Sequence, residues 1–208
     1  MKKRKAKAIR KTKETDITVD ITIDGKGVSK VKTGIPFLDH MLTLFSKHGL
    51  FDLKIKAKGD LDVDIHHTNE DIGIVLGKAF KQALSGKKRI QRFGDSLVPM
   101  DGSLVRVAVD ISGRPSLHIH KKALRSMRLV LDKLTVLDKR GYSFIAAEQF
   151  ISAFIMNAGI NIHIEILSFD RDIHHLIEAV FKAMGRALDK ATQIDPRIQG
   201  VPSTKGRL

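Results

Sequence analysis

With 208 residues and 42% hydrophobic content, the chain can form one substantial domain or two small ones packed together around a real core. It has no cysteine, which excludes disulfides, zinc–thiolate sites and thiol nucleophiles, and no apolar run of membrane-spanning length. The net charge of +14 suits nucleic acid, an anionic membrane surface or a phosphorylated small molecule, while a single Tyr, no Trp and no finger or RNP-type signature argue against nucleic acid.

In chain order, residues 1–13 are basic but lack the apolar stretch of a signal peptide. Residues 1–11 are therefore predicted as a flexible basic arm, and the protein as cytoplasmic. Ile17, Val19, Ile21 and Ile23 alternate with polar residues as in a half-buried strand, and a turn at Asp24 leads to a hairpin partner over residues 28–32. Pro36 opens a helix through Phe37, Leu38, Met41, Leu42 and Phe45 that closes at Gly49. Leu53, Ile55 and Ala57, then Leu61, Val63 and Ile65, alternate around a Gly59-Asp60 turn. An amphipathic helix follows through Ile72, Leu76, Ala79, Phe80 and Ala83. In the second half, residues 105–111 and 160–166 read as strands, and 147–157 and 173–191 as helices. Residues 118–140 are charged and carry no clear pattern.

The halves repeat. His66, His67, Glu70, Gly77 and Ala79 recur as His174, His175, Glu178, Gly185 and Ala187, each 108 positions on (174 − 66). Gly49 and Gly159 differ by 110, so a small indel intervenes; on that offset Phe150 stands near the place of His40, and Leu53 aligns with His163. Such a duplication predicts an α+β fold of two repeated halves, each a β-sheet with helices on one face, over residues 12–92 and 93–193, with a C-terminal tail over 194–208.

Residues four apart share a helix face, so His66 and Glu70 can grip one ion, as can His174 and Glu178. His67 and His175 are turned by about 100° and face another. Imidazole with carboxylate favours a divalent ion such as manganese, iron or zinc. A lone His-His start would read as surface histidines beside capping acids; two copies in register favour a two-metal site. His40 and His163 are further candidate ligands, each equally able to be a hydrogen-bonded core histidine. His48, His118 and His120 lack a supporting pattern. Arg92, Arg114 and the terminal Ser203-Thr204-Lys205-Gly206 offer phosphate donors.

Across nearly its whole length the chain resembles the imidazoleglycerol-phosphate dehydratase family. The matching stretches are Thr12 to Thr15, Phe37 to Leu42, His66 to Asp71, Arg92-Phe93-Gly94, Pro99-Met100-Asp101, Asp110 to Pro115, His174 to Ala179 with Phe181-Lys182, and Ser203 to Gly206. The resemblance implies two manganese ions per active site, shared between subunits of a homo-oligomer, a 24-mer in the family. The ligands would be His40, His66, His67, Glu70, His163, His174, His175 and Glu178. Glu14 would approach the substrate, with Glu14 and Glu178 as candidate catalytic carboxylates, and Arg92, Arg114, Lys182, Ser203 and Lys205 would bind phosphate. The implied reaction removes water from imidazoleglycerol phosphate to give imidazole-acetol phosphate in histidine biosynthesis, through an imidazolate and a diazafulvene-like intermediate.

Two departures stand out: Gly102 follows Asp101 where the family usually has Glu, and Asp170-Arg171-Asp172 replaces the common Gly-x-Asn. Two other readings compete: another dinuclear metal-dependent enzyme acting on a phosphorylated small molecule, and a basic RNA-binding protein. Removal of residues 1–11 would separate the latter.

Overall fold

The structure, a computed structural model, describes residues 3–120, 142–170 and 172–208. The alternation of apolar and polar residues sets the strands, since the pleat sends successive side chains to opposite faces. Strand β2 (Thr15–Thr22) buries Ile17, Val19 and Ile21, and β4 (Asp52–Gly59) buries Leu53 and Ile55. With β1 (Lys5–Lys11) and β3 (Ser29–Lys32) they form a sheet of order β1-β2-β4-β3. The second sheet, β5 (Phe93–Met100), β6 (Ser103–Asp110), β7 (Ser116–His120) and β8 (Asn161–Ser168), has the matching order β5-β6-β8-β7.

Among the described residues, four α-helices lie between the sheets: α1 (Pro36–Gly49), α2 (His66–Leu84), α3 (Phe144–Ala158) and α4 (Ile173–Thr192). Helix α2 covers β1 and β2, and α4 covers β5 and β6. The halves interlock, because α1 packs on α4 and α3 packs on α2. Small residues permit this crossing. A Cβ on Gly77 would stand 2.4 Å from the Phe154 carbonyl oxygen, and one on Gly185 would stand 2.7 Å from that of Phe45. Phe45, Phe51, Phe80 and Phe154, all fully buried, fill the centre edge to face.

The predicted α+β fold of two sheet-and-helix halves is the one observed. Several local expectations are not. Residues 5–11 are no flexible arm: they pair antiparallel with β2, Lys5 opposite Thr22 through Lys11 opposite Asp16, with Arg4 tied to Asp24. Cationic residues there alternate with Ala6 and Ala8, a pattern of small apolar residues too faint to read as a strand. Residues 29–32 form no hairpin with β2 but pair parallel to β4, because α1 intervenes and returns the chain in the same direction. Residues 61–65 are turn rather than strand. Strand β5 is continuous and paired along its length although its sequence carries Gly94 and Pro99, which hide it from the pattern of alternation. Of the unpatterned stretch, residues 118–120 end β7, and 121–140 lie outside the described residues.

The structure also corrects the internal alignment. Leu50 and Gly159 stop α1 and α3 in the same left-handed conformation, an offset of 109 (159 − 50). Buried Phe37, Leu38, Met41 and Leu42 then answer buried Ala146, Ala147, Phe150 and Ile151. The counterpart of His40 is thus Gln149, not Phe150. Likewise buried Leu53 and Ile55 answer Ile162 and Ile164, so Lys54, not Leu53, answers His163.

Candidate active site

Both His-His pairs open helices, and a carboxylate two residues before each pair accepts from the amide of its first histidine. Asp64 Oδ1 accepts from the His66 amide at 2.7 Å, and Asp172 Oδ1 from the amides of His174 and His175 at 2.8 and 3.4 Å. Asp172 is thus the N-cap of α4, whereas Asp64 stands one residue before the N-cap Ile65 of α2, and Glu178 caps neither.

Glu178, one turn into α4 and 7% exposed, gathers three donors. Its Oε1 lies 2.8 Å from His40 Nε2 and 3.0 Å from His174 Nε2, while Lys182 Nζ donates to Oε2 at 2.6 Å. Burial pushes the carboxyl up, but the bonds from Lys182, His40 and His174 outweigh it and hold the group at about 2. Phe37 meets the His174 ring edge to face at 5.1 Å and limits its rotation.

The equivalent place in the first half is more open. His66 Nε2 lies 3.8 Å from Glu70, and His66 Nδ1 is 3.3 Å from Gln149 Oε1, the position that answers His40. A cleft of about 710 Å³ opens beside His66, and Val63 and Ile145 on its lining are 71% and 51% exposed.

The second histidine of each pair faces carboxylates from the sheet ends. His67 Nδ1 is 2.9 Å from Asp60 and 3.9 Å from Glu14, in the β1–β2 turn. The hydrogen bond to Asp60 and the charge of Glu14 raise the His67 pKa, and the same bond lowers that of Asp60. His175 Nε2 is 3.3 Å from Asp101, in the β5–β6 turn, and its Nδ1 is 3.5 Å from both Asp170 and Asp172.

The described residues thus bring together His40, His174 and Glu178 in one group, and His67 with Glu14 and Asp60 in another. Among them, no hydrogen bond or ion pair joins the His66-His67 motif to the His174-His175 motif. His163 is elsewhere, on the helix-free face of the second sheet, stacked on His118 at 4.4 Å and 3.3 Å from His120 Nε2. Arg92 is held by Asp110 and donates to the Pro202 carbonyl, which ties it to the tail carrying Ser203 and Lys205. Gly113, beside Arg114, packs against Leu208. This phosphate-type cluster sits at the far end of α4, where the Arg92 amide bonds the Ala191 carbonyl. From His174 to Ala191 the helix spans about 25 Å. Lys182, predicted with that cluster, instead pairs with Glu178.

Sequence reasoning missed Asp60, Asp170 and Gln149. Asp60 sits in a Gly-Asp turn before α2 begins at His66, so helical spacing says nothing of its reach to His67. Gln149 is visible only once the halves are aligned by their helix stops.

The first group fits a cation on its own chemistry. Its two imidazole nitrogens and carboxylate oxygen lie within 4.8 Å of one another, close enough for one divalent ion to be shared by all three. Two pseudo-symmetric halves with imidazole–carboxylate clusters at paired helix starts define the class: an α+β protein built by duplication around a chemically active helix terminus.

The imidazoleglycerol-phosphate dehydratase family profile matches residues 33–188. The chain is 54% identical over 207 residues to the imidazoleglycerol-phosphate dehydratase of Thermoanaerobacter pseudethanolicus, covering 99% of this chain and 100% of that one. It is 49% identical to that of Bacillus subtilis over 205 residues, covering 99% and 100%. The fold matches the crystal structure of the Staphylococcus aureus enzyme (TM-score 0.75, 34% identity, 92% of this chain and 99% of that one). It also matches that of the Pyrococcus furiosus enzyme in complex with (S)-C348 (TM-score 0.77, 36% identity, 96% and 99%). The chain belongs to the imidazoleglycerol-phosphate dehydratase family and is a hydro-lyase of histidine biosynthesis.

Proposed function

We propose that the dehydration runs at a two-manganese site assembled between copies of this chain in the cytoplasm, a 24-mer as the family resemblance implies. The observation that carries this is the convergence of His40 and His174 on Glu178 at one end of α4, about 25 Å from the Arg92 and tail cluster at the other. A small substrate cannot span that gap, so the anion-binding end must come from a neighbour. Exposed Val63 and Ile145 beside His66 supply apolar surface for that neighbour to cover.

In this reading His40, His174 and Glu178 hold one ion, His66 with Glu70 the other, and His67 and His175 add the complementary ligands. Bound cations supply Lewis acidity toward the substrate's imidazole nitrogens, which acidifies the carbon-bound proton beside the ring. Glu178, kept charged by Lys182 and the two histidines, serves as a ligand rather than as the proton carrier. Glu14, 58% exposed and beside His67, takes the proton and returns it to the hydroxyl of the adjacent carbon, which departs as water, and the enol left behind ketonises to the product. Arg92, Arg114, Ser203 and Lys205 of a neighbour anchor the phosphate and hold the reacting carbons in place.

Manganese-dependent formation of imidazole-acetol phosphate by wild type, compared with His67→Ala and Glu178→Ala, tests the proposal. Both variants are expected to lose activity by at least about 100-fold. Full turnover by wild type stripped of metal would refute it, as would light scattering that finds only a monomer.

A further inference from the structure

We infer that Asp60 and Asp170 are paired positioning residues. Each holds the Nδ1–H of one second-position histidine, His67 or His175, so that the Nε2 lone pair is the one presented to a ligand. The inference rests on the two-cation reading above for what that ligand is.

Histidine carries its proton on either nitrogen, and the tautomer is set by the hydrogen bond the other nitrogen makes. Asp60 follows β4 and reaches His67 Nδ1 at 2.9 Å. Asp170 follows β8, the pseudo-symmetric strand, and faces His175 Nδ1 at 3.5 Å. That Nδ1 is buried and makes no hydrogen bond, a costly state for a polar atom unless a partner closes on it. Asp172 is equally near, but its other oxygen already caps α4. Asp170 is the better anchored, taking bonds from the Gly102 amide at 3.0 Å, Ser103 Oγ at 3.0 Å and the Asp172 amide at 3.2 Å.

Gly102 makes room for this arrangement. A Cβ there would stand 2.5 Å from the Cβ of Asp170. The two positions at which the sequence departs from the usual pattern therefore touch, and each explains the other: the missing side chain at 102 admits the carboxylate at 170. Asp60 needs no such partner, because it already lies within hydrogen-bond reach of His67.

The test uses full-length Asp60→Ala and Asp170→Ala, which remove the oxygen facing each Nδ1–H, and Gly102→Ala, which displaces Asp170 with its charge intact. Ring-labelled histidines in metal-free protein at pH 9, read by magic-angle-spinning 15N NMR, report the tautomers. Wild type should show His67 and His175 in the Nδ1–H form, in addition to His66, whose Nδ1 faces the Gln149 amide oxygen; His67 should revert in Asp60→Ala alone, and His175 in both Asp170→Ala and Gly102→Ala. Manganese affinity, from chelator competition, should fall about 10- to 100-fold in each variant. Unchanged tautomers overturn the inference, even if affinity falls. The expected tautomers in a wild type that takes up no manganese would uphold the positioning and defeat the two-cation reading instead.

Discussion

Replacing Glu178 with Gln keeps the shape of the side chain and removes its charge. Holding this carboxyl at about 2 rather than its ordinary 4.5 favours the charged over the neutral form by about 3 kcal/mol, at ~1.4 kcal/mol per pH unit. Glutamine stands in for the neutral form, so metal-free Glu178→Gln should be about 3 kcal/mol less stable at pH 7. This is at the low end of what removing one member of a buried ion pair costs, roughly 3–5 kcal/mol. The smaller value is reasonable because His40 and His174 are 45% and 44% exposed and can turn to water. The sign follows from the depressed value: the stabilisation is present in full above about 4.5 and is lost as pH falls through about 2. Urea unfolding with chelator present, at steps from pH 7 to pH 3, measures the gap. It should stay near its full size to about pH 4.5 and shrink to roughly half by pH 3. A gap that does not change with pH would show that Gln fails for steric reasons. No gap at pH 7 would show that Lys182 and the two histidines do not stabilise the carboxylate.

Gly77→Ala gains about 1 kcal/mol of helix propensity but drives a methyl against a backbone carbonyl that cannot rotate away, an overpacking cost of roughly 1–3 kcal/mol. Net destabilisation is expected, seen as a lower urea midpoint, and Gly185→Ala should behave alike. Deleting residues 1–11 removes β1 together with buried Ala8 and partly buried Ala6 and exposes the edge of β2, so the protein should unfold at markedly lower urea rather than merely lose charge. Reversing exposed Lys7 and Lys11 is therefore the cleaner test of RNA binding, and should leave dehydration intact. Inactive Glu178→Ala and inactive Lys205→Ala, mixed and reassembled, should regain up to about a quarter of wild-type activity if each site draws on two chains. Recovery of none would place both ends of the site in one subunit.

The duplicated His-His-x-x-Glu motif carried much of the site in the sequence, because helical spacing alone puts His174 and Glu178 on one face. His40 could be named only as a candidate; its 2.8 Å contact with Glu178 spans 138 positions and depends on α1 of one half packing against α4 of the other. Asp60 and Asp170 carried no periodic signal, since they act from strand ends across turns. β1 was hidden by its lysines, which occupy the solvent face that a strand leaves free.

By itself, then, the sequence determined the period-two strands, the amphipathic helices, the internal repeat and the ligand chemistry at the helix starts. These are local or repeated properties, set by spacing along one chain. Only the tertiary structure decided that Gln149 rather than Phe150 answers His40, and that His40 reaches Glu178. It alone separated the imidazole cluster from the Arg92 and tail cluster by the length of α4. Such facts depend on which faces pack and where each helix stops, and packing joins residues whose distance in sequence carries no trace of their distance in space.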